Sequence, residues 1–183
     1  LPSGAVCLGE AQTQGRGRRG RNWIATPYAN ILLSMAWRFE AGSALVAGLS
    51  LAAGVATVRA LQEYGVEGVG LKWPNDVLVQ ERKLAGLLVE VHGEASGPCL
   101  VVLGLGVNAR LSSVDGARIE QPWIDLHTIA ASPVDRNHLA ALLIRHLYHM
   151  FECFARTGLA SFREDWEQLH AYAGRRVRVS FAG

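Results

Sequence analysis

Cysteine is scarce in this chain and poorly spaced for chemistry: Cys7, Cys99 and Cys153 form no CxxC pair, and an odd number cannot close a complete disulfide framework. Disulfide-stapled scaffolds and thiolate metal knuckles are excluded, and a reducing cytoplasm fits best. Long apolar runs are also missing. The richest stretch, 44–58, is interrupted by Gly48 and Gly54 and has the length of a core helix, which argues against a membrane span or a membrane partner. Neither an initiator methionine nor a secretory signal opens "LPSGAVCLGE", and "RRVRVSFAG" closes on what reads as the first strand of something further, so both ends are expected to be cut. Net charge is nearly absent: 18 Lys and Arg against 16 Asp and Glu leave +2, too little for the whole surface to attract polyanions.

What is present is enough for a full hydrophobic core, since half of the 183 residues are hydrophobic and 19% are charged. "GAVCLGE" (4–10) reads as a short buried strand and "NILLSMAWRF" (30–39) as a β-type run. Ser43 could cap a long helix reaching about Tyr64, where Gly65 ends it. "GVGLKW", "DVLVQ" and "KLAGLLVEVH" suggest three strands, the last two a hairpin around "QERK", and "CLVVLGLGVN" (99–108) adds another. Residues 109–134 read mostly as loop; Asp135 then caps a helix to about Arg156, followed by a shorter helical stretch from Leu159 to His170. Strands first and helices grouped later predict an α+β domain with a mixed sheet rather than a doubly wound fold.

The small positive balance is concentrated in one loop. "GRGRRGRNW" (15–23) carries Arg16, Arg18, Arg19 and Arg21 among three glycines, so backbone N–H groups and guanidinium forks can approach phosphate or carboxylate oxygens. A solvated basic hairpin tip and an arginine-rich nucleic-acid arm are the competing readings. Glycine content and mutual repulsion predict a loop that is mobile when empty and orders over an anion.

In "KWPND" (72–76) Pro74 forms a tight turn that sets Asn75 and Asp76 at a strand edge, where a carboxylate can position a metal or an arginine, or simply complete a turn. Alternation in "KLAGLLVEV" puts Lys83, Ala85, Leu87 and Val89 on one face, with Lys83 heading an apolar surface, while Gly86 marks a close approach to the backbone. "GLGVN" (104–108) is a bulge or a second place for ligand contact. His146, His149 and Cys153 share one side of a helix, as zinc ligands could, but they sit among "HLYHMFECF" without a fourth ligand, which favours an ordinary helix face.

Taken together, "GRGRRGRNW", "KWPNDV", "KLAGLLVE" and "GLGVN", in this order and at these separations, closely resemble the catalytic domain of biotin protein ligases, the family of the bacterial biotin operon repressor. "ILLSMAWRF", "QPWIDL" and "RNHLAALLIRHL" are similar to its bacterial branch. The resemblance implies a fold related to class II aminoacyl-tRNA synthetases over residues 1–172, with 173–183 starting a C-terminal SH3-like domain. It implies that biotin and Mg-ATP give biotinoyl-AMP, and that a lysine of a biotin carboxyl carrier protein then takes the biotinoyl group.

By the same resemblance, Gln12, Arg16, Gly17, Arg18, Lys83 and Gly86 surround biotin and the adenylate, with Arg19 nearby. Arg21, Asn75, Asn108 and Trp123 lie on the ATP side, Trp123 covering the adenine. Lys83, Arg18 and Asp76 are the catalytic set, and Mg2+ enters with ATP near Asp76. The family's Ser-Thr-Asn segment, which contacts the biotin ring head, would lie before Leu1. A homodimer is left open, and DNA binding is expected only from an N-terminal helix-turn-helix domain. Lipoate ligases share this chemistry and are the enzymatic alternative; a nucleic-acid module would spread its basic residues along a face instead.

Overall fold

The computed structural model describes residues 1–178 apart from 41, 43–45 and 94–96. Its elements follow the order β1 (Ala5–Gly9), β2 (Ile31–Phe39), α1 (Leu49–Glu63), β3 (Val69–Lys72), β4 (Asp76–Val79), β5 (Arg82–Gly93), β6 (Cys99–Val107), α2 (Ser113–Gly116), α3 (Leu126–Ile129), α4 (Arg136–Thr157) and α5 (Arg163–Leu169). The strands form one sheet in the order β1-β2-β6-β5-β4-β3. Every strand pair is antiparallel, and the parallel component of this mixed sheet comes from two single bridges, Leu71 to His170 and Lys83 to Trp123.

Alternation gives the sheet two unlike faces. Ile31, Leu33, Met35, Trp37 and Phe39 stand opposite Val107, Leu105, Leu103, Val101 and Cys99, and all ten are buried. Helices α1 and α4 cover this face. In α4 the residues Leu139, Leu143, Leu147, Met150, Phe151 and Phe154 recur at helical spacing and are all buried. Phe151 stacks on Trp37 with ring centroids 5.1 Å apart and planes 5° from parallel. Asp135 caps α4 by accepting from the N–H groups of Asn137 and His138.

Three local expectations need correction or placement. β1 is not buried: it is an edge strand of the sheet, and Leu8 is 53% exposed. Ser43 lies outside the described residues, and α1 itself starts at Leu49 behind Gly48, whose φ of +83° suits glycine. Of the expected SH3-like start at 173–183, residues 179–183 lie outside the described residues. The β4–β5 hairpin closes as expected, with Gln80 and Glu81 both at positive φ, as a two-residue primed turn requires.

The histidine and cysteine face of α4 has separate partners. His146 meets Glu63 of α1 at 2.8 Å, His149 lies 3.4 Å from Glu152, and Cys153 lies 3.6 Å from the Thr157 hydroxyl. The hydrogen bond from His146, and then that from Arg145, holds the Glu63 carboxyl below its ordinary range. This clasp between α1 and α4 therefore contributes above the ordinary carboxylate pKa and is lost as pH falls through the lowered value.

Because Phe151, carried by α4, is completely buried against the sheet, Phe151→Ala is expected to lower the unfolding free energy by about 3–5 kcal/mol. Urea titration measures this; a loss below about 1 kcal/mol would contradict the packing described.

Candidate active site

The face opposite the helices carries the chemistry, and its shape starts with glycine. Register aligns Asp76, Gly86, Gly106, Leu32 and Gly9 in one row across five strands, and Leu88, Gly104, Ser34 and Cys7 in the next. A flat ring can therefore lie directly on backbone. The Trp23 indole does so: a Cβ on Gly106 would come within 2.4 Å of it, and one on Gly86 within 3.0 Å.

Lys83 reaches this floor because β5 departs from simple alternation. Val77 pairs with Ala85 but Leu78 pairs with Lys83, so Leu84 is an extra residue, a β-bulge. Leu84 and Ala85 both sit in the core, and Lys83 turns to the face of Gly86 and Asp76 instead of sharing one with Ala85 and Leu87. The expected single face for Lys83, Ala85, Leu87 and Val89 is thus corrected: strict period-two reading cannot register a bulge. Once turned, the Lys83 ammonium lies 2.7 Å from the Asp76 carboxylate, with side chains 15% and 16% exposed, and 5.5 Å from the Trp23 ring centroid.

Neighbouring asparagines hold this centre in place. Asn108 donates to the carbonyls of Lys83 and Ile124, both at 3.2 Å, while its buried Oδ1 has no hydrogen-bond partner among the described residues. Asn75 donates to the Leu87 carbonyl at 2.7 Å, which ties the KWPND turn to β5. The segment carrying Trp123 is laced to the backbone of Lys83: Lys83 N–H donates to Pro122 O and Ile124 N–H to Lys83 O.

The arginine loop forms a small hairpin above the floor. Arg16 bridges to Asn22, Gly17 N–H donates to Arg21 O at 2.7 Å, and Trp23 N–H donates to Gly15 O at 2.9 Å. Arg16 pairs with Glu90 at 3.0 Å while remaining 71% exposed, a screened contact that leaves its charge available. Gln12, Arg16, Gly17, Arg18, Arg19, Arg21, Asn75, Asp76, Lys83, Gly86, Asn108 and Trp123 all line one open cavity of about 1670 Å³. That is room for more than one small ligand.

Several contributors escaped sequence reading. In the sequence Trp23 only closes the "GRGRRGRNW" stretch. Leu32 and Ser34 lie within a strand that reads as plain core. Trp166, His170 and Tyr172 also line the cavity. The glycine row was partly visible, since Gly104 and Gly106 are two apart and must share a face.

The model of the biotin/lipoate A/B protein ligase family matches residues 1–108. The chain belongs to this family. It is 43% identical over 98% of its length to the bifunctional ligase/repressor BirA of Escherichia coli, and spans 56% of that protein. It is 38% identical over 91% of its length to the biotin–[acetyl-CoA-carboxylase] ligase of Paracoccus denitrificans, spanning 70% of it. The Aquifex aeolicus biotin protein ligase solved in complex with biotin and ATP superposes with a TM-score of 0.78 at 23% identity, covering 94% of this chain and 71% of that one. The α+β sheet with its helix layer is thus the fold of biotin protein ligases.

Because Gly106 must stay bare for Trp23 to lie on the sheet, Gly106→Ala is expected to leave the fold intact and lift the indole off the floor. Acrylamide quenching of tryptophan fluorescence should increase; quenching equal to that of the unsubstituted protein would show that the ring does not depend on this glycine.

Proposed function

We propose that this chain is the catalytic domain, over residues 1–172, of an ATP-dependent biotin protein ligase, with residues 173–183 leading into an SH3-like domain. One observation carries the reading: the arginine hairpin, the Lys83–Asp76 pair and the bare glycine floor share a single cavity. The names of the relatives specify biotin, and relatives bearing the acetyl-CoA-carboxylase ligase name supply the acceptor class.

The floor beside Trp23 suits the compact ring system of biotin, whose carboxylate would then point toward Lys83. Attack of a carboxylate oxygen on the α-phosphorus of ATP forms a P–O bond and breaks the bond to pyrophosphate, giving biotinoyl-AMP. Both reactants are anions, so Lys83, Arg16 and Arg18 offset their repulsion and stabilise the charge spread over the α-phosphate in the transition state. Asp76, already against Lys83, fixes where that ammonium stands. Gln12 and Gly17 bound the biotin end, while Arg21, Asn75, Asn108 and Trp123 bound the nucleotide end. Closure of the arginine hairpin over the adenylate would shield the mixed anhydride from water. An acceptor lysine, as its neutral amine, then attacks the acyl carbon; AMP departs and the amine loses a proton.

Mg2+ would supply charge neutralisation on the phosphates. Among the described residues no three His, Cys, Asp or Glu side chains cluster as a metal cage, so Asp76 fits an ion carried in on ATP. The acceptor is a biotin carboxyl carrier protein and the setting cytoplasmic; no helix among the described residues is long and apolar enough to cross a membrane. A homodimer is supported by β5: β4 pairs with it only as far as Gly86, leaving the later residues of β5 without a described strand on that edge. DNA binding would need a separate helix-turn-helix domain in the full-length protein. The family as a whole includes lipoate ligases, but the relatives whose names give a substrate specify biotin.

Full-length protein incubated with labelled biotin, ATP and a biotin carboxyl carrier domain is expected to label that domain. Lys83→Ala should slow biotinoyl-AMP formation by about 10²–10³, the usual effect of removing one preorganised donor. A variant that forms adenylate at the native rate removes Lys83 from the mechanism.

A further inference from the structure

We propose that Asp115 and Thr26 form a positioning latch that sets the orientation of Trp123, and so the affinity of the nucleotide side of the pocket. The proposal rests on the ligase reading above, in which Trp123 covers the adenine.

The latch is needed because α2 is only four residues long and cannot hold itself together by helix propagation. Four hydrogen bonds close a ring instead. The Thr26 hydroxyl donates to Asp115 Oδ2 at 2.7 Å and accepts from Ser112 N–H at 2.9 Å. The Ser112 hydroxyl donates to the same Oδ2 at 2.7 Å and accepts from Asp115 N–H at 3.1 Å. Each hydroxyl thus gives one bond and takes one, converging on a half-buried carboxylate. These bonds, first from Ser112 and then from Thr26, hold the Asp115 carboxyl below its ordinary range.

The ring adds a side-chain tie between two segments that Arg110 N–H to Ala29 O and Ala109 N–H to Asn30 Oδ1 already bring together. Thr26 follows Trp23 on the segment that leaves the arginine hairpin, whereas Asp115 belongs to α2, which precedes Trp123. The next residue, Gly116, accepts a hydrogen bond from Trp123 Nε1 at 3.0 Å. It also leaves the space the indole occupies, since a Cβ there would lie 2.2 Å from Trp123 Cζ2. Backbone bonds to Lys83 fix where Trp123 starts, and Gly116 fixes which way its ring turns. The position of Gly116 depends on the Asp115 node. A charged hydrogen-bonded node of this kind accounts for about a tenfold effect on what it positions.

The test uses the full-length protein with Thr26→Val, which removes the hydroxyl at constant shape, Asp115→Ala, the double variant, and Thr26→Ser, which restores the hydroxyl. Biotin-dependent adenylation should show KM for ATP raised about tenfold by Thr26→Val and by Asp115→Ala, with KM for biotin and kcat within about twofold of native. The double variant should be no worse than Asp115→Ala, and Thr26→Ser should regain native values. In ligand-free protein, acrylamide quenching attributable to Trp123, taken as the difference from Trp123→Phe, should rise in Thr26→Val. Unchanged KM for ATP, or equal increases in both KM values, overturns the latch. Unchanged quenching of Trp123 overturns it independently of any activity, whereas a native protein without biotin-dependent adenylation overturns the ligase reading itself.

Discussion

The single extra residue at Leu84 governs this site. Without the bulge, β5 would alternate regularly and Lys83 would share the core face with Ala85 and Leu87, where an unpaired ammonium is too costly to bury. With it, the lysine turns to the open face, meets Asp76 at 2.7 Å and stands beside the aligned glycines Gly86 and Gly106. Bulges commonly re-aim a side chain at the point where a strand must serve packing and chemistry together.

Three of the groups that line the cavity are tied to that lysine. Asn108 grips its carbonyl, the Trp123 segment bridges to its backbone, and Trp23 lies beside its ammonium. The helix layer behind the sheet, with α4 packed onto β2 through Phe151 and Trp37 and α1 packed beside it, supplies the rigidity that holds these groups at fixed separation. The positive charge of the arginine hairpin is then the complementary part: a loop closed on itself by backbone bonds and joined to the sheet by the Arg16–Glu90 ion pair and the Trp23 indole.

Much of this was legible in the residues themselves. Strand and helix order, the β4–β5 turn and the Asp135 cap follow from alternation, helical spacing and capping chemistry, all local properties. Lys83 was found but its face was misread, because a bulge leaves no mark on an apolar run in which Leu84 and Ala85 are equally at home inside. β1 was read as buried because "AVCLG" is apolar, yet burial depends on which strand ends up at the edge, a non-local outcome. Trp23 and the Thr26–Asp115–Ser112 ring were beyond reach for the same reason: their partners are far along the chain, and only the fold brings them together.

The most direct test of the central claim is isotope exchange between pyrophosphate and ATP in the full-length protein, run with biotin, with lipoate and with neither. A site built around Lys83 on a bare glycine floor predicts exchange that requires biotin and is not supported by lipoate. Exchange supported by lipoate, or none with biotin at saturating ATP and Mg2+, would contradict the account.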